Sequence, residues 1–330
     1  MYPVMTALQK RLNYYRRIFR AYLTPSTSQL TFWHDEPSIN QFTPRQLGPY
    51  YMTFAQKADY SGKHDAAGIP MLDYHGAIGP QYNPIAIAQH GLGNFNLYLQ
   101  FKETSQREKF LNVADWLVAN LEPNSKGLWV WNHKFDFEYR DLLRAPWYSG
   151  LAQGQGISML VRAHLETREG KYLDAAQRAF ETMLVAVGQG GVIFEDATGN
   201  RWIEEYIVDP PTHILNGFFW ALWGVYDFAV HTGDPRAWKV WQDSLTTLRA
   251  NLQLYDTGYW SLYEQSGTRL KMLASPFYHR LHIVQLRVMA ALTGDDLFER
   301  YAEKWSRYQQ STVNRGRALV YKSIFKLCYY

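Results

Sequence analysis

Four times along the chain an apolar helix is followed by a short turn and an amphipathic helix, and this repetition restricts the fold more than any other feature. The turns read FKETSQREKFLNVADW, LETREGKYLDAAQRAF, VHTGDPRAWKVWQDSL and LTGDDLFERYAEKW. A threonine marks each one (Thr104, Thr167, Thr232 and Thr293), at separations of 63, 65 and 61 residues. A steady period of this size signals repeated supersecondary units. The first helix of each unit, from Pro84, Leu151, Ile214 and Leu281, is apolar almost throughout, as a helix buried on every side must be. The second carries only a stripe. Trp238, Trp241, Leu245, Leu248 and Leu252 face one way, and Lys239, Asp243 and Arg249 the other. Uniformly buried inner helices with half-exposed outer ones predict an all-α fold, an α/α barrel of about four helical hairpins. A straight solenoid would leave its inner helices less uniformly apolar.

The barrel is expected to occupy residues 83–330. Residues 1–82 are expected to form a helix over 3–23 and an irregular segment packed on the barrel, with strand-like pieces at Leu30–Trp33 and Tyr50–Phe54. In a ring of hairpins the loops entering the inner helices gather at one end, and here those loops are the long ones. They hold GPQYN, WYSGLAQGQG, EEYIVDPPTH, and the run from YDTGYWSLYEQ to SPFYHRLH. Short β-hairpins are expected within them, and the site belongs at that end.

A net charge of +4 with no recognisable motif gives no basis for nucleic acid as a partner. The longest uncharged apolar run, around Phe218–Tyr226, is too short to span a bilayer. Lys10, Arg11, Arg16, Arg17 and Arg20 interrupt any secretory signal, so the expectation is a cytoplasmic protein without an integral membrane segment. The lone Cys328 permits no internal disulfide and argues against a zinc site. With Tyr329 and Tyr330 it forms a tail that packs on a second subunit, as in a homodimer, or frays. The 24 Tyr, 12 Trp and 17 Phe, many of them in loops, suit carbohydrate, whose C–H faces stack on rings, although aromatics also fill cores.

Within the long loops, Gln81, Tyr82, Asn83, Trp147, Tyr148, Gln153 and Gln155 are candidates for sugar contacts. The glycines of WYSGLAQGQGIS read equally as a helix start packed tightly on a neighbour. Glu204, Glu205 and Tyr206 fall in a β-like stretch just ahead of the most apolar helix. On spacing alone a surface strand with solvated glutamates is the plainer reading. The acidic cluster Glu204, Glu205, Asp209 and Asp256 also invites a glycosidase, with one acid and one base. Tyr206, Tyr255, Tyr259, Tyr263 and Tyr278 crowd the same end, most of them as structural filler. His279 and His282 share a face at the start of the fourth inner helix. With Arg280, Asn216 and Gln153 they are candidate donors to an anion.

EEYIVDPPTHILNGFFWALWGVYDF, LYDTGYWSLY and YHRLHIVQL, with PQYNPIAIAQHGLG and WYSGLAQGQGISMLVRAHL in the same order, resemble the D-glucuronyl C5-epimerase family of heparan sulfate and heparosan epimerases. The resemblance covers roughly residues 79 to 310 and implies a helical barrel acting on an anionic, uronate-containing polysaccharide. It places the family's catalytic positions on Glu205, Tyr206, Tyr263 and Tyr278. After Tyr263 the family shows an Asp-Leu-Arg-like run, whereas this chain reads Glu264-Gln265-Ser266-Gly267-Thr268-Arg269. The implied chemistry is removal of the C5 proton of a D-glucuronate and its return on the opposite face, giving L-iduronate. That chemistry needs no metal and no nicotinamide cofactor. A uronate lyase, a glycoside hydrolase and a non-catalytic carbohydrate binder remain open as alternatives.

Overall fold

The computed structural model describes residues 32–329 apart from 75, 77, 140 and 141, so the helix expected over 3–23 lies outside the described residues. The fold is all-α, an α/α barrel of four hairpins. The inner helices are α2 (Pro84–Phe101), α4 (Gly150–Thr167), α6 (Leu215–Thr232) and α8 (Pro276–Thr293), each 18 residues long. The outer helices are α3 (Thr104–Ala119), α5 (Gly170–Phe180), α7 (Pro235–Asn251) and α9 (Asp296–Gln310). A short helix α1 (Ala55–Ala58) precedes them and α10 (Thr312–Tyr329) follows. Successive inner helices pack side by side, and each outer helix packs on its own inner partner. No helix among the described residues is long and apolar enough to cross a membrane.

Each inner helix stops in the same way, at a left-handed residue: Lys102, Arg168, Gly233 and Gly294. Thr167, Thr232 and Thr293 each form the last helical residue before it. Their hydroxyls donate to the carbonyls of Ala163, Phe228 and Met289 and accept the N–H groups of Glu169, Asp234 and Asp295. The hydroxyl thus adds a second bond to a carbonyl of the ending helix and satisfies an N–H that the next helix would orphan. Thr104 does not belong to this set. The equivalent residue is Phe101, and Thr104 instead opens α3. Counted at the left-handed residue, the period is 66, 65 and 61 residues.

Because the inner helices have equal length, residues at equal offsets lie at similar depth in the ring. The thirteenth residues are Asn96, Arg162, Asp227 and Val288, and three of them are polar and buried. Arg162 pairs with Asp227 at 2.5 Å, and Asp227 also accepts from Ser158 at 2.6 Å and Tyr51 at 2.5 Å. Tyr51 belongs to residues 48–58, whose buried members Tyr50, Tyr51, Met52 and Phe54 pack against the inner helices. Tyr50 N–H donates to Asn96 Oδ1, Asn96 Nδ2 donates to the Met52 carbonyl, and Arg162 Nε donates to the Gly48 carbonyl. Tyr50–Phe54 is therefore not the expected strand. Helix side chains take its backbone groups, leaving one bridge between Ile39 and Met52. Likewise Phe32–His34 is a 3-10 turn rather than part of a strand.

Helices α4 and α6 touch backbone to backbone. A side chain at Gly154 would overlap Ala221, and one at Gly224 would overlap the Gly154 backbone. The glycines of WYSGLAQGQGIS thus serve close packing. The long loops carry four two-stranded antiparallel pairs, all formed ahead of inner helices. They are β1 (Leu72–Asp73) with β2 (Pro80–Gln81), β3 (Glu122–Pro123) with β4 (Trp129–Val130), β5 (Phe137–Glu138) with β6 (Leu142–Leu143), and β7 (Ile193–Glu195) with β8 (Arg201–Ile203).

Candidate active site

Strand β8 ends at Ile203, so Glu204, Glu205 and Tyr206 lie just past it rather than within it. The glutamates are not solvated. Glu204 is 2% and Glu205 4% exposed, because the Gly150 N–H, at the start of α4, donates to the Glu204 carbonyl at 3.0 Å and pins this turn against the ring. Glu204 is a clamp. Its carboxylate accepts the backbone N–H of His213 at 3.1 Å and also bonds the His213 imidazole, closing the loop that leads into α6.

Glu205 is placed differently. Its carboxylate lies directly over Gly217 in the first turn of α6, where any Cβ would overlap it. Oε2 is buried with no hydrogen-bond partner among the described residues, and Tyr206 is the next residue along the chain. Burial, reinforced by the charges of Glu264 and Glu204 and opposed by the neighbouring Tyr206 hydroxyl, pushes the Glu205 carboxyl up to about 8. A buried carboxylate that basic is a candidate proton acceptor.

Tyr263 and Tyr278 meet beside it edge to face, with ring centroids 4.8 Å apart. The Tyr263 carbonyl accepts the Leu215 N–H at 3.1 Å, which docks that loop on the start of α6. Tyr278 occupies the first turn of α8, its N–H bonded to Ser275 Oγ at 3.3 Å. Burial and then the charge of Glu205 drive Tyr206, Tyr263 and Tyr278 above the usual phenol range, so all three stay protonated donors. The four positions implied by the resemblance thus form one cluster.

Two members of the cluster were not foreseen. Tyr139, on the β5–β6 hairpin, stacks obliquely on Tyr206 at 4.5 Å and hydrogen-bonds the Glu264 carboxylate. Glu264 is 3% exposed and immediately follows Tyr263, where the family's Asp-Leu-Arg-like run would begin. The departure from that run was the available signal for Glu264. The aromatic alternation of FDFEY was the only one for Tyr139.

The remaining candidates divide. Trp147 belongs to the wall, its ring 5.7 Å from Tyr206. Asn216 stands next to Gly217 with its Oδ1 unpartnered among the described residues. Asn83 caps α2 and donates to the Tyr74 hydroxyl at 2.6 Å. Gln81 folds back on the Ile78 carbonyl, Tyr82 donates to Asp65, and Tyr148 donates to the Gly190 carbonyl. Gln153 is scaffold. Its oxygen accepts the Trp131 N–H, and its nitrogen reaches Trp129, Ala179 and Thr182, leaving nothing for a sugar. Gln155 accepts from Gln89 inside the lumen.

His279 and His282 also turn away from the expected cavity. His279 stacks on Trp260 at 3.8 Å, accepts the Ser261 N–H on Nδ1, and donates from Nε2 to the Trp305 carbonyl on α9. Burial pushes its pKa down to about 3 and holds His282 well below the usual imidazole value. Arg280 pairs with Glu36 at 2.6 Å, as a surface arginine with a loop acid. Among the described residues no three His, Cys, Asp or Glu side chains converge as metal ligands would.

Residues 123–307 match the family model described as D-glucuronyl C5-epimerase C-terminus. A D-glucuronyl C5-epimerase of Caenorhabditis elegans is 32% identical over 232 residues, covering 64% of this chain and 37% of that protein. The chain therefore spans little more than a third of that relative's length. An uncharacterized protein of Methanocaldococcus jannaschii is 26% identical over 255 residues, 71% of this chain and 81% of that protein. Among solved structures, a family 76 glycoside hydrolase (mannosidase) from Bacteroides thetaiotaomicron aligns over 68% of this chain and 58% of its own. It does so with a TM-score of 0.45 and 14% identity.

Proposed function

The chain belongs to the D-glucuronyl C5-epimerase family, and from that premise we propose that it epimerises D-glucuronate residues of an anionic polysaccharide to L-iduronate at C5. The observation that carries this reading is the placement of Glu205, buried over Gly217 with Oε2 unpartnered among the described residues, in one cluster with Tyr206, Tyr263 and Tyr278. The C5 hydrogen lies α to a carboxylate, so its removal needs a strong base and donors for the charge that develops.

In the proposed step the ionised Glu205 carboxylate takes the C5 proton. The C–H electron pair moves into the adjacent carboxylate to give an enediolate, whose oxygens accept from Tyr206 and Asn216. Tyr278 then gives its hydroxyl proton to C5 from the opposite face, and the pair returns to the new C–H bond. Tyr263, whose ring packs against Tyr278, donates to the resulting phenolate until the proton on Glu205 is passed back through solvent. Inversion requires the acid and base to stand on opposite sides of the sugar, and Tyr278 and Glu205 come from different repeats.

The test is incubation with a heparosan-like polymer in heavy water. Deuterium at C5 of an intact chain, with iduronate formed, is the expected result. An unsaturated uronate would mean a lyase, a new reducing end without unsaturation a hydrolase, and no change a binder. Any of the three overturns the proposal.

A further inference from the structure

The sixth residues of the inner helices are Gln89, Gln155, Trp220 and Leu281, one rung below the tyrosine cluster. Trp220 is 6% exposed, yet its indole N–H has no acceptor among the described residues. It lines a partly open cavity of about 10 Å3 between residues 35–38 and helices α6 and α8. The same cavity is lined by Lys57, Asp35 and Glu36, with Phe54 and Phe277 beside them. Lys57 is 4% and Asp35 7% exposed. A buried ammonium and a buried carboxyl are costly unless their hydrogen-bonding capacity is met.

The groups are fixed in place. Lys57 Nζ donates to the Phe32 carbonyl at 3.0 Å and lies over the Phe32 and Phe54 rings at 4.7 and 5.3 Å, with N–H protons to spare for a further acceptor. Glu36 is held by Arg280 at 2.6 Å. Burial lowers Lys57 to about 7 and raises Asp35. The cavity thus offers donors on Lys57 and Trp220, acceptors on Asp35 and Glu36, and aromatic faces at its edge. A sugar hydroxyl, which both donates and accepts, matches this set, and its ring C–H groups suit the aromatic rim. The volume is that of one oxygen, not of a whole sugar ring. The cavity and the tyrosine cluster share the first turn of α8. The His34 ring lies 5.0 Å from Phe277 and 6.4 Å from Tyr278.

We propose that this cavity is a subsite that receives one hydroxyl of the sugar unit adjoining the uronate held at Tyr278, an inference that rests on the polysaccharide function above. Lys57 and the 35–38 segment lie outside residues 123–307, which match the family model. Choice of the neighbouring sugar is then set by this chain's own N-terminal segment.

Calorimetric binding of a heparosan tetrasaccharide and of methyl glucuronide tests it, using Lys57→Met and Trp220→Phe, each checked for folding by its melting temperature. Lys57→Met keeps the bulk of the side chain without the charge. It is expected to weaken the tetrasaccharide roughly ten- to a hundredfold, as for a lost charged hydrogen bond. Trp220→Phe is expected to weaken it roughly fivefold. Methyl glucuronide, which reaches only the tyrosine cluster, should bind both variants as it binds the wild type. Unchanged tetrasaccharide affinity in both variants would mean the cavity holds only water, and equal loss for both ligands would mean it is no separate subsite. Either result overturns the inference. C5 deuterium exchange, measured separately, reports on the function. Exchange with variant-insensitive binding leaves the epimerase and removes the subsite, and Lys57-dependent binding without exchange does the opposite.

Discussion

Replacing Glu205 by Gln should remove a pH dependence of stability as well as the catalytic base. The folded state holds this carboxyl at about 8, against an ordinary value of 4.5. Between those two pH values the native protein carries a proton that the unfolded chain has lost, so stability falls as pH rises. At about 1.4 kcal/mol per pH unit, the full window is worth roughly 5 kcal/mol, all of it lost by pH 8. The side chain is buried, so solvent screening does not dilute the effect. Other groups act in the opposite sense. Burial holds His34 and His90 near 4 and Lys57 and Lys322 near 7, so each of these makes the protein more stable as pH rises through its own window. The difference between wild type and Glu205→Gln cancels them. Urea unfolding followed by circular dichroism at pH 5, 6, 7 and 8 is the assay. The variant should gain on the wild type by about 1.4 kcal/mol per unit. A difference that stays flat above pH 5 would show that Glu205 ionises like a solvated acid, and the proposed base would lose its physical support.

Tyr278→Phe should lower turnover at least ~10²-fold with the melting temperature unchanged. Full activity would remove Tyr278 as the acid. Gly217→Ala puts a Cβ into the Glu205 carboxylate and should cost about 1–3 kcal/mol while abolishing turnover, measured by melting and C5 exchange together. Trp241→Ala, on the outer face of the ring, should cost about 3–5 kcal/mol with tetrasaccharide affinity retained. His279→Ala should lower the melting temperature and leave kcat of the folded fraction intact. A silent melt with lost kcat would return His279 to the site.

The hairpin architecture was legible because burial on every side demands an apolar helix, and that demand is written locally in each inner helix. The repeat was visible for the same reason, but its register was not. Thr104 sits in the right neighbourhood, and only the left-handed residue that ends each inner helix shows that Phe101 is its counterpart. The cluster of Glu205, Tyr206, Tyr263 and Tyr278 could be read through motif order. Its partners Tyr139 and Glu264 could not, since one comes from the second repeat's loop and the other from the fourth's, and nothing local links them.

Side-chain direction at helix starts was the part the sequence left undetermined. SPFYHRLH places Tyr278, His279, Arg280 and His282 within about a turn, and helical spacing says which of them share a face without saying what each face meets. Packing decided that. Trp260 and Trp305 took the imidazole of His279, Glu36 took Arg280, and only Tyr278 was left facing Tyr263. The same holds for the glutamates. Adjacent residues of one type became a clamp at Glu204 and a strong base at Glu205, because one found the His213 N–H and the other found the bare backbone of Gly217. Periodicity is a property of neighbours along the chain, so sequence determines which surfaces must be buried. A pKa depends on what surrounds a group in space, and only the closed ring supplies that.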